Sequence, residues 1–258
     1  MALLGVGILA ILGFDENPAQ YNLSLSRGID IEQLHDLIMQ PQRHDTWDDR
    51  TRFPQLDEAM IVDLFSGRTN EEGFLYDVKI RGWNLGAYSA PDAQEALVIV
   101  HDWSQSHAGL ANEIWLIAHE ETWSLDRKIV ESDFVSYDVI DMDGDGTLEI
   151  LYRSTWGNQG YDHFHAEIVS VEESGTRTLY AYDGHNYGGA GVPDEHGYLS
   201  VYHGLKLWDL DGDRILEVID TEWRSKWGSK GIEDYQRLAT EVDVKMLKLT
   251  GEQYEPLH

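Results

Sequence analysis

The sequence predicts a mainly β chain: tandem antiparallel β-meander units resembling propeller blades, preceded by a small helical N-terminal segment. Three observations carry this. From about Phe74 onward the segments become rich in Val, Ile, Tyr and Trp, with turn residues every ~8 to 15 positions. No long helical pattern alternates with them, which argues against a doubly wound parallel sheet. A strand, an acidic nonapeptide and a second strand then occur in the same order twice.

The elements follow in chain order. Met1 to Phe14 is apolar throughout, yet too short to span a bilayer at about 1.5 Å per helical residue. With Ala10 and Gly13 late in it, the stretch resembles the h-region of a secretory signal, although a basic n-region is missing. Residues 1–20 therefore read as a signal or membrane-anchor remnant, the alternative being an ordinary buried segment. Residues 21–73 read as the helical segment. Asp30 is an N-cap with Gln33 as its capping-box partner, and Ile31, Leu34, Leu37 and Ile38 share a face that ends before Pro41. Gln42 to Arg52 is charged and irregular. Pro54 to Phe65 places Leu56, Met60, Ile61, Leu64 and Phe65 at helical spacing, and Gly67 stops it.

Residues 74–258 read as the β domain, in units at about 74–132, 133–184 and 198–256. Predicted strands are Leu75–Ile80, Ala96–His101, Glu113–Ala118, Val135–Ile140, Leu148–Ser154, His163–Val171, Leu179–Tyr182, Tyr198–Trp208, Leu216–Thr221 and Val242–Leu249. The second and third units contain the acidic nonapeptides. The first has no acidic cluster in its loop from Arg81 to Glu95.

Composition narrows function. Of 258 residues, 42% are hydrophobic and 26% charged, enough apolar material for a packed core. Lys and Arg number 19 against 47 Asp and Glu, a formal charge of −28. Such a chain repels phosphate backbones, so nucleic acid is not an expected partner, whereas divalent cations are attracted. With no cysteine there are no disulfides, thiolate zinc sites, iron–sulfur ligands or cysteine nucleophiles. No glycine-rich phosphate loop or dinucleotide fingerprint is present.

The densest chemistry is Asp141-x-Asp143-Gly144-Asp145-Gly146-x-x-Glu149. Carboxylates at positions 1, 3 and 5 of a tight loop converge, the position-7 carbonyl of Thr147 can join them, and Glu149 adds a further carboxylate. Hard oxygen donors in this number suit Ca²⁺ at about 2.3–2.6 Å. Four carboxylates within nine residues also repel one another until a cation arrives. The second copy, Asp209-x-Asp211-Gly212-Asp213-Arg214-Ile215-x-Glu217, keeps every carboxylate but has Arg214 where the first has Gly146. If that position needs φ > 0, Arg214 is strained, and its guanidinium could pair with a loop carboxylate. The expectation is one or two calcium ions. The bland alternative is a pair of solvated acidic turns.

The nonapeptide between strands, present twice, resembles the calcium loop of integrin-α-type repeats, the FG-GAP and VCBS families. In those families the loops sit on β-propeller blades. Over roughly residues 134 to 255, the resemblance implies Asp141, Asp143, Asp145, Thr147 and Glu149 as one ligand set. Asp209, Asp211, Asp213, Ile215 and Glu217 form the other. Glu149 and Glu217 stand where the family usually has Asp. Two or three units are fewer than the about four blades of a closed propeller, which implies an incomplete propeller or stacked sheets.

Other residues compete for attention. His163 and His165 share a face of one strand, a pair without an evident third metal ligand. His185, His196 and His203, with Asp183, Asp194 and Glu195, make the 183–203 region a candidate for acid–base chemistry or a set of exposed polar residues. His101-Asp102 with Ser104 and Ser106 suggests a hydrolase but lacks a nucleophile elbow. Trp156 and Trp227 either stack on sugar rings or fill a core. The expected function is a calcium-binding extracytoplasmic β-repeat protein, secreted, periplasmic or on the cell surface. It would act as a binding or scaffold module for a glycan or protein ligand, with calcium structural and no catalytic residues assigned. The rival is a calcium-braced enzyme acting on glycans through 183–203. A third reading is an intracellular, salt-adapted domain with ordinary acidic turns.

Overall fold

The computed structural model describes residues 21–25, 53–71, 73–104, 111–158, 161–186, 198, 200–209, 211–229 and 235–256. The apolar N-terminal stretch, the helix expected after Asp30 and residues 187–197 lie outside them. The described chain is mainly β, in one four-stranded and one nine-stranded sheet, with a single short helix among the described residues. Among those residues no closed barrel or propeller forms, and no helix is long and apolar enough to cross a membrane.

The chain divides into two compact units. The proximal unit comprises Asp45–Trp156 and His165–Ala181. Its helix α1 (Glu58–Phe65) starts where Asp57 caps it, Oδ1 accepting from the Met60 N–H at 2.9 Å. That cap moves the start from the expected Pro54 to Glu58. Gly67, at φ 71°, follows its end. Ile61 and Phe65 are buried, while Met60, expected on the same face, is exposed.

Four strands follow as an antiparallel meander: β2 (Val78–Gly86), β3 (Glu95–Asp102), β4 (Ala111–His119) and β5 (Trp123–Ser132). β3 is buried on both faces. Ala96, Val98 and Val100 join Ile61, Phe65, Ile117 and Trp123, while Leu97 joins Ile114, Leu116, Leu148, Ile150 and Val169 on the other side. Burying each such aliphatic side chain stabilises by about 1.5–3 kcal/mol. β5 was not expected. Its pairing with β4 slips between Ile114 and Trp115 and again between Leu116 and Ile117, which breaks the period-2 pattern. Leu75, expected to begin β2, is exposed and makes only an isolated bridge to Thr69. Also wholly in this unit is β6 (Phe134–Ile140); β7 (Glu149–Asn158), β8 (Tyr161–Glu172) and β9 (Gly175–Asn186) lie in it for part of their length.

The distal unit comprises Met1–His44, Gly157–Phe164 and Tyr182–His258. Here β10 (Ser200–Trp208) pairs antiparallel with the end of β9 and with β11 (Glu217–Ser229), which pairs with β12 (Tyr235–Thr250). Two strands not expected from the sequence cover the far edge of β12. β13 (Gln253–Pro256) folds back antiparallel on Leu247–Thr250, and β1 (Tyr21–Leu25) runs parallel to Thr240–Val244. Edge coverage of this kind removes a site for unwanted strand pairing. β1 also corrects one expectation: residues 21–25, read as the start of a helical segment, are extended and add one parallel pair to the otherwise antiparallel sheet. Each of the ten predicted strand segments overlaps an observed strand.

Candidate metal centres

Both acidic nonapeptides form tight loops between antiparallel strands. In the proximal unit, β6 and β7 pair with Ile140 opposite Glu149, so the ladder sets the ninth position beside the first. In the distal unit, Trp208 opposite Glu217 does the same. Within the first loop, Asp141 Oδ1 accepts from the Gly144 N–H at 2.7 Å and Oδ2 from the Gly146 N–H at 3.1 Å. Asp143 Oδ1 accepts from the Asp145 N–H at 3.1 Å, and Asp145 Oδ1 from the Thr147 N–H at 2.7 Å. The second loop repeats this bond for bond. Asp209 accepts from Gly212 and Arg214 at 2.7 and 3.3 Å, Asp211 from Asp213 at 3.2 Å, and Asp213 from Ile215 at 2.9 Å.

The backbone matches as well. Gly144 and Gly146 have φ 76° and 90°, and Gly212 and Arg214 have φ 82° and 75°. Arg214 is the one non-glycine residue with positive φ among the described residues. An L side chain there costs roughly 1 kcal/mol. Arg214→Gly should therefore stabilise the chain by about 1 kcal/mol in urea unfolding, whereas no gain would show that the strain is relieved elsewhere.

The first loop rests on a fixed turn. The Leu148 N–H donates to the Ala87 carbonyl at 2.8 Å. Gly86 leaves room for the leucine, since a Cβ there would lie 2.6 Å from Leu148 Cδ1. Buried Glu95 holds the same turn by accepting from the Tyr88 and Ser89 N–H groups at 2.8 and 2.9 Å.

In each loop three carboxylates converge. Oxygens of Asp141, Asp143 and Glu149 all lie within 4.8 Å of one another, as do those of Asp209, Asp211 and Glu217. Two oxygens on opposite sides of a calcium ion are about 4.6–5.2 Å apart, so these groups could hold a metal ion. Asp145 and Asp213 are outside the two groups. The Thr147 hydroxyl also donates to Asp145 Oδ1.

Electrostatics distinguish the loops. Glu149 is 3% exposed and accepts from the Met142 N–H at 2.8 Å. Burial, with the charges of Asp143, Asp145 and Asp141 adding to it against that hydrogen bond, pushes its carboxyl up to about 8. Burial and then Asp145 and Asp141 raise Asp143, against the Asp145 N–H bond. In the second loop Lys248, on β12, brings an ammonium to Asp211 Oδ2 at 2.5 Å, Asp213 Oδ2 at 2.7 Å and Glu217 Oε1 at 3.4 Å. Its hydrogen bond holds Asp213 below the usual carboxylate range. The cation in that loop is thus Lys248, not the Arg214 guanidinium suggested by the sequence. Lys248 escaped notice because it is more than 30 residues from the loop and arrives through strand pairing.

Several of the other candidates have defined partners. The Ser104 hydroxyl donates to Asp102 Oδ2 at 2.7 Å, while His101 Nδ1 is 3.1 Å from Asn112 Oδ1. A relay from serine through histidine is therefore not assembled at 101–104. His165 Nε2 lies 3.4 Å from Glu167 Oε2. Trp156 is 45% exposed and lies on β7, which removes it from any core. His203 Nδ1 lies 2.9 Å from buried Asp220 Oδ1, with its ring stacked on Tyr182 at 4.4 Å. Asp220 was not singled out in the sequence, since only the β10–β11 pairing brings it there.

No protein-family profile, curated protein or solved structure matches this chain.

Proposed function

We propose that this chain is a calcium-binding, extracytoplasmic β-repeat protein of FG-GAP/VCBS character, acting as a binding or scaffold module. Calcium braces a loop and takes no part in a reaction. The observation that supports this is the convergence of Asp141, Asp143 and Glu149 within 4.8 Å, with no basic side chain paired to them among the described residues. Burial and mutual repulsion leave that loop short of positive charge, which a hard dication supplies. The four hydrogen bonds that the two loops share support reading them as copies. Calcium near millimolar outside the cytoplasm would fill sites of moderate affinity, which together with the apolar N-terminal stretch favours an extracytoplasmic setting. The exposed ring of Trp156 favours a glycan as ligand over a purely structural role.

Calcium titration of the full chain by calorimetry tests the proposal. Because burial pushes the Glu149 carboxyl up to about 8, it is largely protonated below that pH and would have to lose its proton on binding an ion. Affinity should rise with pH up to about 8 and level off above it. Near pH 6.5 about one proton should be released per ion, read from buffers of different ionisation enthalpy. No heat at millimolar calcium would sink the proposal.

A second reading, a calcium-braced enzyme acting on glycans, draws on the buried His203–Asp220 pair beside Tyr182. Glycan hydrolysis lost in His203→Ala would favour it. Binding to a glycan without turnover would favour the module.

A further inference from the structure

We infer that Lys248 is the resident cation of the second loop: the chain's own ammonium orders Asp209–Glu217, and a divalent ion is excluded while Lys248 stays in place. The inference builds on the calcium reading of the first loop as its point of comparison. Both loops share four side-chain-to-backbone hydrogen bonds and the same two positive-φ positions, so their backbones are similarly prepared for a cation. They differ in what supplies positive charge. Among the described residues no basic side chain pairs with Asp141, Asp143, Asp145 or Glu149. In the second loop the Lys248 ammonium meets Asp211, Asp213 and Glu217 at 2.5, 2.7 and 3.4 Å.

An ammonium is a compact point charge with three donors, and here it has three carboxylates. Two of them, Asp211 and Glu217, belong to the group whose oxygens lie within 4.8 Å of one another. An ion bridging those oxygens would share its ligands with the ammonium and sit within a few ångströms of it, where like charges repel strongly. Metal entry therefore requires Lys248 to swing away, and the apparent affinity falls by the fraction of time it is away. Lys248 also ties β12 to the β10–β11 loop, a cross-strand brace that needs no calcium. One loop then responds to calcium, while the other is held at any calcium concentration.

Calcium titration calorimetry on the full chain decides this with Lys248→Met and Asp209→Asn. Wild type should bind one ion. Lys248→Met should bind two, its new site at least tenfold tighter than any second event in wild type. Asp209→Asn should keep the wild-type stoichiometry, because the ammonium already serves that loop. A Lys248→Met chain that gains no ion overturns the inference, and so does a wild type with two ions that loses one on Asp209→Asn. If Lys248→Met does not fold, the Asp209→Asn arm decides alone: unchanged stoichiometry supports the inference and loss of an ion overturns it. Failure of the first-loop reading looks different. Wild type would bind nothing, while Lys248→Met would still gain one ion.

Discussion

Calcium raises the melting temperature of the wild-type chain and leaves that of Asp143→Ala where it stood in EDTA: this is the expected result of replacing one of the three converging carboxylates of the first loop. A ligand that binds only the folded state stabilises it by about 2.7 kcal/mol at 100 times its dissociation constant. For a chain of this length that corresponds to a rise of roughly 5–10 °C. Asp143 shares the 4.8 Å group with Asp141 and Glu149, so its loss opens the coordination sphere on one side. In EDTA the variant should remain within about 1 kcal/mol of wild type. It loses the acceptor for the Asp145 N–H, and in exchange a carboxylate already raised by burial and by Asp145 and Asp141 is gone. Scanning calorimetry with and without calcium reads both effects. A wild-type curve that ignores calcium, or a variant that keeps the full shift, would refute the first site.

The other large effect is at Asp102, which the sequence offered as a hydrolase residue and the structure makes a clamp. The carboxylate is fully buried. It accepts from the Asp77 N–H at 3.2 Å, the Ser104 N–H at 2.9 Å, the Ser104 hydroxyl at 2.7 Å and Asn70 Nδ2 at 3.2 Å. Asn70 in turn accepts from the Phe74 N–H through Oδ1 at 3.0 Å and donates its own N–H to the Phe74 carbonyl at 2.8 Å. The end of β3, the approach to β2 and the 70–74 turn are thus tied at one side chain. Each buried donor left without an acceptor costs about 1–3 kcal/mol, and some of the four can find water or one another. Asp102→Ala should lower the unfolding free energy by about 3–5 kcal/mol in urea, with calcium stoichiometry unchanged. A loss below about 1 kcal/mol would show that the network re-forms without its acceptor.

Much of the candidate site was legible because its determinants are local. A nonapeptide carries its own carboxylates and turn residues, so spacing points to positions 1, 3, 5 and 9 together, whereas the folded loop groups positions 1, 3 and 9 and leaves position 5 outside. The demand for positive φ at Arg214 could be read the same way, by comparison with Gly146. The helix at 58–65 and most strands were legible for a similar reason, since capping and alternation act over a few residues. β3 was the easiest, an apolar run buried on both faces.

The unread features depend on contacts distant in the chain. β5 was hidden by bulges that its pairing with β4 imposes. β1 is a strand only because β12 offers it an edge. Asp220 meets His203 through the register of β10 on β11. The charge state of the acidic loops divides along the same line. The amino-acid sequence by itself determined two equivalent anionic loops that each call for a cation. Only the tertiary structure decided that one of them already has it, because the pairing of β12 with β11 brings Lys248 to Asp211, Asp213 and Glu217.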